Sequence, residues 1–322
     1  MTAKEYNVLY KAKAPGNLIL LGEYSVLYGK TALVTAISKS VSVTLKPRKD
    51  NQIFIDSNLG KLRINRHQII SQPPFEFVLE ALALTNLPSG CDIEIDSDLP
   101  IALGLGSSAA VTVALLTVLN RWNKKPLTKI NLWKESLQVI HRVQGGMGSG
   151  ADCAASIFGG VIAFSISPLS VLSLKGTPPL VAIYSGKKLN TACAIGMINS
   201  RRRQCSDHFQ KMDEKVHKLS MRAISAINTQ NWTALGKLFN KGQDLMRIMG
   251  VSNIFLENLT KSLQEQPNIL GAKISGSGFG DCIVGVGKLI SNFFPRNTKE
   301  KKLGVKQIAL SIISEGANCN ET

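Results

Sequence analysis

The 322-residue sequence has few aromatic residues, and its cysteines form no metal-binding or redox motif. Aromatic residues make up only 6% of the chain, so it lacks the stacking platforms, interleaved with arginine, that binders of single-stranded nucleic acid use. Its six cysteines lie far apart, with no CxxC motif and no Cys/His pair at zinc-ligand spacing. Such cysteines are typical of the reduced thiols of a cytoplasmic protein. A hydrophobic content of 44% also excludes a disordered chain and a disulfide-stapled miniprotein.

Acidic residues are scarce relative to basic ones, with 22 Asp and Glu against 38 Lys and Arg, which gives a net charge of +16. Nucleic acid, an anionic membrane surface and small anionic substrates could each be attracted by such a charge. The basic residues are dispersed apart from Arg201–Arg203 and a run at 299–302, and we interpret both as solvated surface. The three arginines could instead bind an anionic group of a substrate. The charge therefore leaves the class of partner open, and the motifs below favour a small substrate over nucleic acid.

Apolar runs of membrane-spanning quality are missing too. Residues 100–120 and 153–174 carry no charge, and each is about as long as a transmembrane helix of ~20 residues. Glycines and serines interrupt both stretches, so we interpret them as parts of globular domains and expect no membrane partner. The first residues contain no apolar segment of the kind found in signal peptides, so no secretory leader is expected.

The apolar pattern predicts an α+β chain of two domains, 1–170 and 171–322, that share a cleft. Strands are expected at 8–14, 18–21, 32–37, 41–45, 91–96, 161–166, 180–184 and 282–286. One buried helix is expected in the N-terminal half, at 107–122, because most faces of that segment are apolar. Amphipathic helices are expected in the second half, at 207–228, 232–249 and 254–264.

A glycine- and serine-rich turn, Gly104-Leu-Gly-Ser-Ser-Ala109, precedes the buried helix. The start of a helix presents unpaired backbone N–H groups and the positive end of the helix dipole, which together suit a phosphate. The two glycines would let a phosphate approach the backbone closely, and the serine hydroxyls could bond it or bind Mg²⁺. An ordinary helix cap is the alternative, and this segment alone does not choose between the two.

Two other phosphate-binding motifs fail on spacing. A dinucleotide fingerprint at Gly104 needs an acidic residue about 20 positions further on, and none occurs between Asp98 and Glu135. A P-loop that ends at Gly29-Lys30 needs an earlier glycine where the chain has Tyr24. The turn at 104–109 therefore belongs to neither class.

Two more glycine-rich segments follow, each with one carboxylate at its end. The first spans 144–152 and ends at Asp152, and the second spans 273–281 and ends at Asp281. An N-terminal stretch, Ala14-Pro-Gly followed by Gly22-Glu23, precedes them all. The N-terminal stretch, the turn at 104–109 and the segment at 273–281 resemble, in this order, the three motifs of the GHMP kinases, a family that phosphorylates small molecules. The resemblance spans nearly the whole chain.

The resemblance implies a fold, a nucleotide and a type of substrate. The implied fold has an N-terminal domain with a left-handed βαβ unit, a ferredoxin-like C-terminal domain and the active site in the cleft. ATP and Mg²⁺ are the implied cofactors, and the reaction is phosphoryl transfer to a small alcohol. The stretch 22–30 is similar to mevalonate-pathway members, with mevalonate the expected acceptor and phosphomevalonate the alternative. Tyr24 and Asp281 look more like the members that act on phosphomevalonate.

The resemblance also carries site residues onto this chain. Asp152 matches the catalytic aspartate, and Ser108 is the implied Mg²⁺ ligand. The residues expected at ATP are Pro100, Leu103, Gly104, Leu105, Gly106, Ser107, Ser108 and Ala109. The residues expected at the acceptor are Asn17, Glu23, Tyr24, Gly150, Thr191, Ser277 and Gly278.

The chain departs from the family pattern at Asn17, which replaces a lysine, at Tyr24, which replaces a histidine, and at His141, which stands at the Mg²⁺-binding glutamate. We interpret His141 as a structural residue. The candidates to replace the missing cation, each of which could instead be ordinary surface, are Lys11, Lys13, Lys187 and Lys188. The resemblance allows a homodimer. A non-catalytic nucleotide- or nucleic-acid-binding protein on the same fold stays open as an alternative.

Overall fold

The computed structural model describes residues 8–99, 103–290 and 292–321. The strands are β1 (Tyr10–Leu21), β2 (Ala32–Pro47), β3 (Gln52–Ser57), β4 (Gly60–Asn65), β5 (Cys91–Ser97), β6 (Val161–Ile166), β7 (Leu169–Leu174), β8 (Leu180–Tyr184), β9 (Ile269–Ser275), β10 (Cys282–Gly287), β11 (Lys306–Ile308) and β12 (Asn318–Glu321). The helices are α1 (Glu76–Ala83), α2 (Ser107–Trp122), α3 (Lys129–Val143), α4 (Ala151–Phe158), α5 (Thr191–Gln204), α6 (Ser206–Asn228), α7 (Trp232–Ile248), α8 (Ile254–Gln264) and α9 (Thr298–Leu303). A short 3₁₀ helix, Ser25–Tyr28, follows β1.

The first sheet has eight strands, with the order β12-β1-β2-β5-β3-β4 and with β6 pairing to β2 and β7. Its pairs are antiparallel except β3 with β5. The strands predicted at 8–14 and 18–21 form one strand, because a register shift between Pro15 and Asn17 lets β1 continue past the proline. At this bulge the Asn17 N–H donates to the carbonyl of Leu105, 3.0 Å away, so β1 directly contacts the glycine-rich turn before α2.

Helix α2 begins and ends where the sequence predicts, and it packs on β1 and β2. The expectation of one helix in the N-terminal half was wrong, because α1, α3 and α4 lie there too and pack around α2. The pattern of α3 was readable from the sequence: its buried residues are Leu132, Trp133, Ser136, Val139 and Ile140, which recur at helical spacing. The buried α2 therefore lies between a sheet and three further helices.

The second sheet is antiparallel, with the order β11-β8-β10-β9, and α7 and α8 pack against it. The three amphipathic helices predicted here are confirmed to within one residue at their ends. Helix α7 crosses β9 so closely that a Cβ on Gly271 would lie 1.9 Å from the carbonyl oxygen of Gly236. No helix in the part of the chain that the structure describes is both long and apolar enough to cross a membrane.

The structure differs from the predicted division at residues 170 and 171. That boundary falls inside β7, which pairs with β6 in the first sheet. The chain also returns to the first sheet at its end, where β12 pairs with β1 and Ile312 bridges to Ile37. The second unit is therefore an insertion between strands of the first sheet.

Two arginines near the end of α5 are not free surface, which corrects the interpretation of 201–203. The Arg202 guanidinium donates to both carboxylate oxygens of Asp213, at 2.7 and 3.0 Å, and stacks 3.5 Å from the Tyr28 ring centre. Asp213 also accepts a hydrogen bond from Ser25 at 2.8 Å. Arg201 donates to two carbonyl oxygens at 249 and 250. The Arg202–Asp213 pair therefore clamps the 3₁₀ helix of the first unit to α5 and α6.

Replacing Asp213 by Asn should destabilise the fold, because the carboxylate side chain is 5% exposed and the guanidinium would keep its charge without a partner. We expect the free energy of unfolding in urea to fall by about 3 kcal/mol. The matched control is Asp56→Asn, since Asp56 pairs with Lys61 on the open surface. If the two variants unfold at the same urea concentration, the Arg202–Asp213 pair does not stabilise the fold.

Candidate active site

One cleft between the two sheets collects all three glycine-rich segments of the sequence. Its walls are formed by residues from β1, the 3₁₀ helix and the segments at 104–109, 148–153 and 188–195, together with 275–277 and Asp281. These segments lie far apart in the chain, so the cleft exists only in the folded structure. Most of the residues that the sequence assigned to ATP and to the acceptor line this one space.

The start of α2 presents an anion site to the cleft. Its N-cap residue is Gly106, in the left-handed conformation, which has no side chain to satisfy the first N–H groups of the helix. The first intrahelical bond is donated by Ala110, so the N–H groups of Ser107, Ser108 and Ala109 have no partner within the helix. All three residues line the cleft, where these N–H groups and the helix dipole favour a phosphate.

The leucines of this loop have another role. The side chains of Leu103 and Leu105 are 5% and 2% exposed and belong to the hydrophobic core rather than to the cleft wall. Their carbonyl oxygens hold the loop in place: that of Leu105 accepts from Asn17, and that of Leu103 accepts from the Cys282 thiol at 2.9 Å. Pro100, also assigned to ATP, lies outside the described residues.

Asn17 ties β1 to α4 at the back of the cleft. Its side chain is buried, and its Nδ2 donates to the carbonyl oxygen of Asp152 at 3.1 Å and to the hydroxyl of Ser156 at 3.2 Å. The Asn17 amide therefore contacts the backbone of Asp152 and not its carboxylate. Because the amide is neutral, residue 17 places no charge next to that carboxylate.

Asp152 lies in the first turn of α4 and faces the cleft. Gly150 is the N-cap residue of α4, so the Asp152 side chain does not cap the helix. Burial raises the pKa of Asp152 to about 6, and the charge of Lys188 lowers it. A carboxylate with a pKa near neutrality, in a cleft, can accept a proton from a bound hydroxyl.

Asp281 is a second buried carboxylate, which the site assignment from sequence did not include. It is 6% exposed, its Oδ2 accepts from the Ser277 hydroxyl at 3.0 Å, and its Oδ1 has no partner among the described residues. A Cβ on Gly104 would lie 3.0 Å from that Oδ1, so the free oxygen adjoins the glycine-rich turn before α2. Burial raises its pKa to about 6. An aspartate at the end of a glycine-rich segment, as at Asp152, is the signal that could have found it.

Glu23 and Tyr24 line the cleft, as their assignment to the acceptor requires. Glu23 forms an ion pair with Lys273, whose side chain is fully buried, and burial lowers the pKa of this lysine. The Tyr24 hydroxyl donates to the carbonyl oxygen of Ser277, and burial raises the pKa of that hydroxyl. Lys273, which sequence reasoning left out of the site, neutralises Glu23 and links the first unit to β9.

Of the remaining residues that the sequence assigned to acceptor binding, three line the cleft and one does not. Gly150, Thr191 and Ser277 line the cleft, whereas Gly278 lies against Val251, whose carbonyl oxygen would be 2.5 Å from an added Cβ. His141 is structural, as interpreted, because its Nε2 bonds to the carbonyl oxygen of Gly148 at 2.9 Å. The structure thus does not bring Gly278 to the cleft wall.

An apolar groove of about 570 Å³ adjoins the cleft. Its apolar wall is formed by Val41, Leu59, Pro73, Pro74, Phe75, Phe77, Val78, Ile95, Leu99 and Val111. The groove and the cleft share three lining residues, Ser107, Ser108 and Lys188. A bound molecule could therefore place an apolar part in the groove and an anionic part at the start of α2.

The donors in the cleft fit Mg²⁺ that arrives with phosphate ligands. No group of three or more His, Cys, Asp and Glu side chains that could hold a metal occurs in the described part of the chain. Mg²⁺ usually keeps several waters and takes one or two carboxylates plus substrate phosphates. The unpartnered Oδ1 of Asp281, next to the phosphate loop, and the hydroxyl of Ser108 are ligands of that kind.

Comparisons with known proteins agree with this geometry. The model described as "GHMP kinases N terminal domain" matches residues 75–160, and "GHMP kinases C terminal" matches residues 223–297. The chain is 33% identical to the mevalonate kinase of Archaeoglobus fulgidus over 279 residues, which cover 86% of this chain and 92% of the relative. The fold and these matches define the class: the chain belongs to the GHMP kinase family, with its two-domain α+β fold.

Solved structures are similar over most of the chain. The mevalonate kinase of Methanococcus jannaschii has a TM-score of 0.75 at 22% identity and covers 94% of this chain and 98% of its own. The phosphomevalonate kinase of Streptococcus pneumoniae, solved with phosphomevalonate and AMPPNP, has a TM-score of 0.77 at 17% identity and covers 94% and 99%. The fold alone therefore does not choose between these two acceptors.

Replacing Gly106 by Ala should destabilise the protein more than the same change at Gly145. Both residues have a left-handed backbone, which costs a non-glycine residue ~1–2 kcal/mol. A Cβ at Gly106 would also lie 2.1 Å from Nδ2 of the buried Asn17, whereas a Cβ at Gly145 meets nothing within 4 Å. We expect urea unfolding to show an additional loss of about 1–3 kcal/mol for Gly106→Ala. Equal losses would mean that Asn17 does not constrain the loop.

Proposed function

We propose that the protein is an ATP-dependent kinase that phosphorylates mevalonate. The observation that carries the proposal is that Asp152 and the uncapped start of α2 line one cleft, so a proton acceptor faces a phosphate site. The choice of mevalonate rests on the relatives, because further proteins named mevalonate kinase match this chain at 27–31% identity.

The nucleotide would occupy both the groove and the start of α2. The adenine would lie in the apolar groove, and the phosphates would reach the N–H groups of 107–109 at the junction with the cleft. Bound Mg²⁺, held by Ser108 and Asp281, would supply positive charge against the phosphate oxygens. Close approach of the phosphates to the backbone requires glycine at Gly104 and Gly106, which have positive φ angles of 70° and 71°.

Asp152 would act on the alcohol. Its carboxylate would orient the acceptor hydroxyl and take its proton while the hydroxyl oxygen forms a bond to the γ-phosphorus and the bond to the ADP oxygen breaks. With a pKa of about 6, the carboxylate is mostly ionised at neutral pH and still basic enough to share the proton in the transition state. The fixed N–H groups at the start of α2 would stabilise the charge on the transferring group.

The charges around the acceptor favour mevalonate over phosphomevalonate. A phosphorylated acceptor needs a second anion site, and Arg201, Arg202 and Arg203 are the sequence's first candidates for it. Arg202 pairs with Asp213, and Arg201 donates to carbonyl oxygens. Arg203 is exposed and does not line the cleft. Glu23 is neutralised by Lys273. The cleft is therefore better suited to an acceptor with a single carboxylate.

A cytoplasmic location is also part of the proposal. All six cysteines are free in the structure, which supports a reducing compartment. A homodimer stays a prediction from the family resemblance.

ADP release should identify the acceptor. We expect turnover with mevalonate and much slower turnover with phosphomevalonate, homoserine and galactose. Asp152→Asn should lower kcat by about 10²–10⁴-fold and leave the affinity for AMPPNP nearly unchanged, because only the proton acceptor is lost. The control is Asp96→Asn, an exposed carboxylate on β5. Salt-sensitive RNA binding without activity on any alcohol would overturn the enzyme proposal.

The pH dependence of kcat/KM should report the ionisation of Asp152. The carboxylate is the active form, so activity is present above its pKa of about 6 and is lost as the pH falls through that value. Below pH 6 we expect kcat/KM to fall by about tenfold per pH unit. A profile that stays flat down to pH 5 would argue against Asp152 as the proton acceptor.

A further inference from the structure

The cleft holds more negative charge than its own residues balance. Asp152 and Asp281 both face it, and Asn17, at the back of the cleft, is neutral. The buried cation nearby, Lys273, is already paired with Glu23. The phosphates of a nucleotide would add further negative charge at the start of α2. Besides bound Mg²⁺, a side-chain cation beside the transferring group stabilises its charge, and such a cation must not be engaged elsewhere.

Lys188 is the cation that the fold supplies. Of the Lys and Arg side chains that the structure describes, it alone lines the cleft. Lys11 and Lys13 are exposed on β1, where they pair with β12 in the ladder, and Lys187 is exposed outside the cleft. Three of the four candidates from the sequence are therefore surface residues.

Lys188 also stands at the junction where the transfer must occur. It lines both the cleft, with Asp152, and the apolar groove, and it shares this position with Ser107 and Ser108 at the start of α2. A phosphoryl group that moves from a nucleotide in the groove to an alcohol at Asp152 has to pass this junction. The side chain is thus placed between the donor and the proton acceptor.

The backbone that carries Lys188 is fixed to the third glycine-rich segment. The carbonyl oxygen of Lys187 accepts from the Asp281 N–H at 2.8 Å and from the Ser185 hydroxyl at 3.2 Å. Gly280 approaches the same carbonyl so closely that an added Cβ would lie 2.6 Å from it. The loop beside Asp281 therefore fixes the backbone from which the flexible Lys188 side chain extends.

We propose that Lys188 is a catalytic residue whose ammonium binds the transferring phosphoryl group, between the start of α2 and Asp152. This assignment rests on the proposed kinase function. Lys188 stays protonated throughout, while the alcohol proton goes to Asp152 and ADP leaves with the electrons of the broken bond. The charge of Lys188 also lowers the pKa of Asp152, in agreement with their shared place in the cleft wall. The cation thus comes from the second unit of the fold instead of from β1.

The test compares Lys188→Met and Lys188→Arg with Lys187→Met, the same change one residue away and outside the cleft. We expect Lys188→Met to lower kcat for mevalonate by about 10²–10³-fold, Lys188→Arg to restore part of that loss, and Lys187→Met to behave as wild type. A second readout is the acid limb of kcat/KM. It should move to higher pH in Lys188→Met, because Asp152 loses a nearby cation, and it should not move in Lys187→Met.

The outcomes separate this assignment from the proposed function. An active wild type whose Lys188→Met variant keeps its kcat and its pH profile overturns the role of Lys188 alone. Equal losses in Lys188→Met and Lys187→Met also overturn it, since they would indicate a damaged loop. A wild type that is inactive on all four alcohols overturns the proposed function, and the role of Lys188 with it.

Discussion

The structure depends on how closely the loop before α2 is held between two polar side chains. Gly106 touches the buried Asn17 of β1, and Gly104 touches Asp281 of the second unit, at distances that leave no room for a Cβ at Gly106 and little at Gly104. These contacts determine where the first turn of α2 points. Because Asn17 also bonds to α4, the same contact sets the position of Asp152 relative to the phosphate site. The contact between Gly106 and Asn17 thus positions both the start of α2 and Asp152.

Net charge describes this protein poorly, because the charges that matter are few and mostly buried. The +16 surplus is spread over the surface, whereas the cleft contains two carboxylates whose pKa values burial raises to about 6. Lys273 forms an ion pair with Glu23, so it adds no unpaired charge to the cleft. Lys188 is then the one basic residue of the described chain that lines the cleft and that we propose to act in the chemistry.

Local sequence patterns predicted the helices well and the site only in part. Helices α2 and α8 have the predicted ends, since apolar periodicity and end signals are local. The continuity of β1 past Pro15 depends on a bulge against β2, which no local pattern reveals. The motifs led to Asp152 and the start of α2, but the place of Lys188 beside them depends on tertiary contacts with residues about 90 positions further on. A single sequence cannot identify residues whose role depends on such tertiary contacts.

The contacts that join the two units also limit what the cleft can bind. Arg202 is held by Asp213 and Tyr28, which joins α5 and α6 to the 3₁₀ helix of the first unit, whereas Arg201 is held by carbonyl oxygens after α7, within the second unit. An acceptor that carries its own phosphate would have to compete with a partly buried ion pair for them, which is costly because it would leave Asp213 unpaired. Stability and acceptor choice are therefore coupled through the same guanidinium groups. A member of this fold that accepts a phosphorylated alcohol must either free these arginines or supply an anion site elsewhere.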